Sequence, residues 1–104
     1  MKFSIFNFIP FRFTKRAVGW SKVRSEHLKK HPKCAACGSD KGLQVHHIKP
    51  FHVYPELELD PDNLITLCSK SCHLYFGHLK YYQSWNVDVR NDAATFYEKV
   101  KARP

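Results

Sequence analysis

The chain has 104 residues, the length of one small domain in which a bound metal would add noticeably to the stability of the core. Seventeen Lys and Arg residues against nine Asp and Glu residues give a net charge of +8 with the seven histidines neutral. This charge favours a polyanionic partner such as nucleic acid, and on charge alone an anionic membrane surface remains an alternative. Because no apolar run approaches the roughly 20 residues of a transmembrane helix, we expect a soluble, cytoplasmic protein with no membrane partner.

Residues 1–16, "MKFSIFNFIPFRFTKR", start with a basic residue and an apolar run, as signal peptides do. Pro10 and Arg12 interrupt the run and no small-residue cleavage site follows, so the segment is predicted not to be an export signal. We expect instead an N-terminal arm that docks on the core of its own domain, on a second copy in a homodimer, or on a partner protein. The apolar residues that suggest this arm include Phe3, Ile5, Phe8, Phe11 and Phe13.

The pattern of apolar and turn residues predicts a small hairpin between two helices. A helix is predicted over residues 20–30, where apolar residues recur at helical spacing. Two strands are predicted over 43–48 and 64–67, with a loop containing three prolines between them. A short helix is expected after Cys68, with Gly77 bending or breaking it.

The C-terminal segment predicts a final helix over residues 91–101. Asn91 and Asp92 are candidate N-cap residues. The apolar stripe expected to cover the core consists of Ala94, Phe96, Tyr97 and Val100. No repeat, low-complexity tract or linker divides the chain, so residues 1–104 are expected to form a single domain.

Four cysteines form two pairs, Cys34 and Cys37 with two residues between them, and Cys68 and Cys72 with three. Thiolates from two such knuckles converge readily on tetrahedral zinc, and four protein ligands are typical of a structural site. A separation of three residues is one more than usual, but it fits if Cys72 lies in the first turn of a helix. The alternatives are reduced thiols or a thioredoxin-like redox motif, but no long βαβ pattern surrounds Cys34. The spacing therefore predicts structural Zn²⁺.

Four segments in this order, "CAACG", "VHHIKP", "DPDNLITLC" and "CHLYFGH", resemble the motifs of HNH endonucleases of the zinc-stapled ββα-metal type, which occur in phages and bacteria. The resemblance covers Cys34 to about His78. It implies an α+β fold with a small ββα-metal (HNH, His-Me finger) core over residues 34–80, a zinc site made of four cysteines, and flanking N-terminal and C-terminal helices. It also implies a metal-dependent endonuclease that hydrolyses DNA phosphodiester bonds. A non-catalytic zinc module that binds DNA or a protein is the alternative.

The resemblance also implies roles for individual residues. His46 and His73 would bind a catalytic divalent metal, and His47 would be the general base that activates water. Asn63 would brace the loop and orient this base. His78 is a candidate third ligand or phosphate contact, although a residue four positions beyond His73, rather than five, would face the same side of a straight helix. Imidazole ligands would accept Mn²⁺, Ni²⁺, Co²⁺ or Zn²⁺ as well as Mg²⁺.

Alternation along a strand supports a division of labour between the adjacent histidines independently of the family. Neighbouring side chains on a strand point to opposite faces, so one ring can bind a metal beside the helix that carries His73 while the other is free for proton transfer. The alternative for His46 and His47 is a packed core residue, and for Asn63 an ordinary turn or cap residue. No role is assigned to the other histidines, His27, His31 and His52.

Basic side chains before and around the candidate site would follow DNA phosphates, contacts that position a duplex without reading its sequence. For each of them a solvated helix surface is the alternative. No helix with base-reading side chains stands out, so we expect double-stranded DNA as the partner, with nicking or structure-directed cleavage of low sequence specificity. Similar proteins work beside phage packaging machinery, so packaging proteins are further candidate partners. The basic residues are Lys15, Arg16, Lys22, Arg24, Lys29, Lys30, Lys33 and Lys49.

Overall fold

The computed structural model describes residues 17–69, 71–80 and 84–103. The N-terminal arm, with its basic residues Lys15 and Arg16, lies outside these ranges. The elements are α1 (Trp20–Lys30), β1 (Leu43–His47), β2 (Leu64–Cys68), a π-helical turn (His73–Gly77) and α2 (Val89–Lys101). Two single 3₁₀ turns, Pro55–Leu57 and Pro61–Asn63, shape the loop between the strands. This small α+β arrangement confirms the predicted fold class.

The centre of the fold is a two-stranded antiparallel hairpin. β1 and β2 pair over five residues, with His46 opposite Ile65 and His47 opposite Leu64. Because side chains alternate along a strand, His46 and Ile65 face one side of the sheet, and His47 and Leu64 face the other. All five residues of β2 are buried. An isolated hairpin of this size is marginally stable in water, so it depends on what covers its two faces.

Each face of the hairpin is covered by a different element, and both α1 and the π-helical turn contact both strands. α1 lies on the His47 side, where Trp20 stacks on the imidazole with 4.7 Å between ring centroids. The hydroxyl of Thr66 donates to the His31 carbonyl at the end of this helix, with 2.9 Å between the oxygens. The π-helical turn lies on the His46 side and is itself covered by α2.

The hydrophobic core is small and depends on cysteine. It consists of Cys34, Ala36, Ile48, Ile65, Leu67, Cys68, Cys72, Val89 and Ala93. Three of these core residues are thiols, so the cluster that would bind zinc is also a large part of the apolar interior. None of the described helices has the length and apolar character needed to span a membrane.

The C-terminal helix differs from its prediction in start and in phase. It begins at Val89, two residues before the predicted start, with Asp88 rather than Asn91 or Asp92 at the N-cap position. Its buried residues are Val89 and Ala93, one turn apart. The predicted stripe is wrong in part: Ala94 and Phe96 are exposed, and Tyr97 and Val100 are half-buried. The buried face, which includes Ala93 rather than Ala94, lies about one residue, or about 100° around the helix, from the predicted stripe.

Asp92 is not the N-cap residue that the sequence predicted but accepts a hydrogen bond from another side chain. The side-chain amide of Asn86 donates to the Asp92 carboxylate at 2.8 Å and to the Phe76 carbonyl at 3.0 Å. Asn86 is buried, and these two bonds join the first turn of α2 to the π-helical turn. The other boundaries lie close to prediction. α1 covers 20–30 as predicted, β1 ends at His47 rather than at 48, and β2 extends to Cys68.

Candidate metal centres and catalytic site

The four cysteines meet at one point beside the hairpin. Their sulfur atoms all lie within 4.8 Å of one another, and the sulfurs of Cys37 and Cys68 are 3.8 Å apart. Sulfurs bound to one tetrahedral zinc at about 2.3 Å would be separated by about 3.8 Å. The backbone N–H of Cys37 also donates to the sulfur of Cys34 at 3.4 Å. The residues therefore fit a zinc ion.

The thiols of this cluster compete for negative charge. Burial, followed by contacts with the neighbouring sulfurs, raises the pKa of Cys72. Burial likewise raises the pKa of Cys37. At Cys68 burial opposes ionisation too, but the backbone N–H groups of Cys72 and Ser71 outweigh it and lower the pKa to about 6. A divalent cation at the centre would remove this competition by stabilising every thiolate at once.

A second cluster brings three imidazoles together on the other side of the hairpin from α1. Nδ1 of His46 lies 3.0 Å from Nε2 of His73, which lies 3.2 Å from Nε2 of His78. All three pairs of ring centroids are separated by 4.8 Å, so the rings form a nearly equilateral triangle. Nitrogens bound to one cation at about 2.1 Å would be separated by about 3.0 to 3.4 Å. The donor set fits a divalent metal.

The rings are held in defined orientations, and burial favours the neutral form of His46 and of His73. Burial, followed by the nearby imidazoles of His73 and His78, lowers the pKa of His46 to about 3. Burial and then His78 lower the pKa of His73 to about 4. His78 is oriented by the Ser84 carbonyl, which accepts from Nδ1 at 2.8 Å and leaves the lone pair of Nε2 directed at His73. Such bonds to the outer nitrogen are typical of metal-binding histidines.

The π-helical turn explains how side chains five residues apart reach one cation. In an α-helix of about 3.6 residues per turn, His73 and His78 would be rotated by about 140° relative to each other. The wider π turn, from His73 to Gly77, brings residues five apart closer to the same side. The spacing that counted against His78 in the sequence is thus accommodated by the backbone.

His47 lies on the opposite face, between aromatic rings. Trp20 stacks on it with an interplanar angle of 29°, and the centroid of Phe51 is 5.3 Å away. Nε2 is 2.9 Å from the Glu58 carbonyl oxygen. A carbonyl only accepts, so Nε2 carries the hydrogen and Nδ1 keeps the basic lone pair. The side chain is buried, with 7% of its surface exposed.

Asn63 joins the hairpin to the loop. Its Nδ2 donates to the Lys49 carbonyl at 2.9 Å and to the Leu57 carbonyl at 3.3 Å. Its Oδ1 accepts from the Lys49 N–H at 2.9 Å. The cap of the neighbouring 3₁₀ turn is supplied by Asp60 instead. The geometry therefore favours the brace over the cap interpretation.

Glu58 is a residue that the sequence interpretation missed. It belongs to an acidic loop, where a solvent-facing carboxylate is the ordinary expectation, but it is only 6% exposed. Its carboxylate accepts from the Ala17 N–H at 3.0 Å, and its carbonyl holds His47. Ser84, which orients His78 through its carbonyl, was missed for a different reason. A backbone contact carries no signal in the side-chain pattern.

Comparison with family models decides the class of this core. Residues 34–75 match the model described as HNH endonuclease. This segment of the chain is therefore similar to HNH endonucleases. The match includes both cysteine pairs, the paired histidines of β1, Asn63 and His73, and it ends before His78. Neither the comparison with curated proteins nor the comparison with solved structures gave a match. An HNH domain implies a nuclease-type or DNA-binding function.

The predicted basic residues differ in exposure. Arg24 is half-buried in α1, and the other predicted residues within the described ranges are exposed: Lys22, Lys29, Lys30, Lys33 and Lys49. A cavity of about 750 Å³ lies between the end of α1, the first cysteine knuckle and α2, away from the three-histidine cluster. Its basic lining includes Lys30, Lys33 and Arg90. Arg90, which the sequence interpretation missed, donates to the carbonyls of Asp62 and Leu64.

Proposed function

We propose that the protein is a metal-dependent HNH endonuclease that hydrolyses phosphodiester bonds of double-stranded DNA. The observation that carries the proposal is the separation of two kinds of histidine by one strand. Three imidazoles converge within bonding distance of a single point, while the adjacent His47 is held by a carbonyl on the other face. The first arrangement is suited to a cation, and the second to proton transfer.

The metal would be held by His46, His73 and His78. A divalent cation bound there would supply positive charge beside a phosphate oxygen and stabilise the charge that develops in the transition state. The four cysteines would hold a separate structural zinc ion, with every ligand position filled by protein.

His47 would act as the general base. Because Nε2 donates to the Glu58 carbonyl, Nδ1 is the atom that accepts a proton from water. The water oxygen bonds to phosphorus, the bond from phosphorus to the 3′ oxygen breaks, and this oxygen takes a proton from solvent. The products carry a 5′ phosphate and a 3′ hydroxyl. Asn63 would support this step by fixing the loop that carries the Glu58 carbonyl.

The exposed lysines would contact phosphates along the duplex. Such contacts are independent of sequence, and no described helix presents a set of base-reading side chains, which supports cleavage of low specificity. One catalytic centre cuts one strand, so we propose nicking or structure-directed cleavage. The same lysines would also serve a non-catalytic zinc module that binds DNA, and this is the second candidate function.

The test is nicking of supercoiled plasmid by zinc-loaded protein in Mg²⁺ or Mn²⁺. Removal of a general base costs on the order of 100-fold or more in rate, so His47→Ala should nick at least about 100-fold more slowly while keeping its zinc. The matched control is His31→Ala, which removes an exposed imidazole and should nick at the wild-type rate. Equal nicking by His47→Ala and wild type would contradict the assignment. If the wild type binds DNA but cleaves it with none of the divalent metals tested, the non-catalytic binding module would be favoured.

A further inference from the structure

Gly77 lies where the ring of His46 needs space. It is the last residue of the π-helical turn and is buried. A Cβ at this position would be 2.9 Å from Nε2 of His46, 3.0 Å from Cε1 and 3.2 Å from Cδ2. Real Cβ atoms essentially never approach another heavy atom this closely, so an alanine here would force the ring to move.

The backbone does not explain the glycine at this position. The glycines with left-handed φ angles are Gly19, Gly38 and Gly42, and Gly77 is not among them. Any residue could adopt its main-chain conformation without the steric penalty of that region. The three nearest contacts of the missing side chain are all atoms of one imidazole. Space for His46 is therefore what glycine supplies.

The imidazole of His46 is confined between Gly77 and His73. The side chain is 4% exposed, and its strand is fixed by pairing with Ile65. On the edge away from Gly77, Nδ1 lies 3.0 Å from His73 Nε2. Because the ring is rigid, moving Nε2 away from residue 77 also moves Nδ1. Displacement would therefore misalign the atom that faces the other two imidazoles.

Among the described residues, the Nε2 edge of His46 is positioned by van der Waals contact and not by a hydrogen bond. For Nδ1 to bind a metal, the hydrogen of the neutral ring must be on Nε2. This atom is buried and has no hydrogen-bond partner in the described part of the chain. Metal-binding histidines usually donate their outer N–H to an acceptor, as His78 does to Ser84. At His46, Gly77 lies beside this nitrogen instead of an acceptor.

We propose that Gly77 is a positioning residue of the three-histidine metal site, which leaves room for the ring of His46 so that its Nδ1 meets Nε2 of His73 and Nε2 of His78. This inference rests on the proposed divalent-metal site. Gly77 touches neither metal nor substrate and acts through His46. Its substitution should weaken binding of the divalent ion while leaving the cysteine site intact.

The first experiment titrates zinc-loaded protein with Co²⁺. Cobalt bound by imidazoles absorbs in the visible range without the thiolate charge-transfer bands of a cysteine site, so occupancy of the histidine site can be followed separately. Gly77→Ala should bind Co²⁺ about 10- to 100-fold more weakly, the usual effect of disturbing a residue that orients a ligand. The control is Tyr75→Ala in the same turn, whose side chain is 51% exposed, and it should bind as wild type.

A double-mutant cycle isolates the contact. Gly77→Ala, His46→Ala and the combined variant are compared with wild type by Co²⁺ affinity and by thermal unfolding midpoint. Removing the imidazole removes all three close contacts, so Gly77→Ala should lower the midpoint of the wild type and change that of His46→Ala little. Equal loss in both backgrounds would mean that alanine perturbs the turn itself, and would overturn the proposal. Wild-type affinity of Gly77→Ala would overturn it too.

Failure of the inference can be distinguished from failure of the proposed function. If wild type binds Co²⁺ at the histidine site and nicks DNA, but Gly77→Ala does both equally well, only the assignment of Gly77 is wrong. If wild type binds no ion besides zinc, the proposed metal site is wrong. The unfolding midpoints of the cycle then still test the contact between residue 77 and His46, because they require no second metal.

Discussion

His46 and His47 are the same side chain in two different environments. His46 faces two other imidazoles and is shielded from solvent, so its neutral form is favoured and Nδ1 is available as a ligand. His47 faces a carbonyl and two aromatic rings, which define its tautomer and its plane. Alternation along β1 alone separates the two environments by one residue. The proposed division of labour is thus a property of strand geometry.

Asn63→Ala should destabilise the protein more than its size suggests. The substitution removes three hydrogen bonds and leaves backbone groups of Lys49 and Leu57 without their partner. Unsatisfied buried polar groups cost about 1 to 3 kcal/mol each, and some of these reach water, so we expect a loss of about 2 to 3 kcal/mol. Urea unfolding of zinc-loaded protein measures it. The control is Asn91→Ala, at an exposed site on α2. An equal loss of unfolding free energy in both variants would contradict the proposed bracing of the loop by Asn63.

The ligand set predicts a preference among metals. Among the described residues the cluster contains three imidazoles and no carboxylate. Imidazole suits Co²⁺, Ni²⁺ and Zn²⁺ better than Mg²⁺, which prefers oxygen ligands. Isothermal titration of zinc-loaded protein should give at least about 100-fold tighter binding of Ni²⁺ than of Mg²⁺. His73→Ala should lose most of that difference. Tighter binding of Mg²⁺ would mean that oxygen ligands dominate the site.

At the scale of elements, the π-helical turn is the feature on which the candidate site depends most. It spans five residues, is covered by α2, and presents His73 and, just after its end, His78 to the hairpin. Insertions of this kind in helices are rare and often occur at functional sites. Its backbone pattern leaves no mark in the sequence, because hydrophobic periodicity reports a face and not the hydrogen-bond spacing of one turn.

His27 in α1 should make the free energy of unfolding depend on pH, and this effect can be separated from the pH dependence of zinc binding. Burial, followed by the positive charges of His31, Arg90 and Lys30, lowers the pKa of His27 from 6.5 to about 4. The unfolded chain therefore takes up a proton before the folded one does, and stability is lost as pH falls from about 6.5 towards 4. The urea midpoint of wild type should fall more steeply over this window than that of His27→Gln. The two proteins share the same cysteine site, so zinc binding affects both equally. Parallel curves of urea midpoint against pH would contradict the lowered pKa of His27.

Prediction from sequence succeeded where periodicity is strong and failed where a tertiary contact decides. α1 and both strands follow directly from apolar spacing and turn residues. The predicted phase of α2 was wrong because Asn91 and Asp92 are residue types that favour the N-cap position. In the structure the Asp92 carboxylate instead accepts a hydrogen bond from the Asn86 side chain. Burial of Glu58 could not be anticipated in an acidic loop. The convergence of three histidines required a backbone turn that no local propensity encodes.

On the scale of the molecule, a hairpin with five residue pairs is pinned between two helices and a thiol cluster. Small domains gain only modest stability from their cores, and a metal often supplies the rest. Here the sulfurs join the segment after α1 to the end of β2 and the start of the π-helical turn. The same ion that stabilises the fold would therefore also fix the distance between β1 and the helix-borne histidines.

Removal of zinc should unfold the domain rather than merely inactivate it. Chelation at neutral pH would remove the ion that these cysteines bind. Three of the nine core residues would then be thiols that are no longer joined by a metal. Structural zinc contributes on the order of 10 kcal/mol to the folding of small modules. Circular dichroism should show loss of the cooperative thermal transition, restored by added Zn²⁺. Cys68→Ser should show it without chelator, and a transition unchanged by chelation would contradict a structural zinc site.

We propose that one divalent cation, separate from zinc, binds to His46, His73 and His78 and is required for DNA cleavage. The most direct measurement combines metal stoichiometry with plasmid nicking on the same samples of wild type, His73→Ala and the control His31→Ala. Wild type and His31→Ala should bind Zn²⁺ plus one further ion and nick, whereas His73→Ala should keep its zinc, lose the further ion and nick at least about 100-fold more slowly. Wild-type nicking by His73→Ala, with or without the further ion, would contradict it.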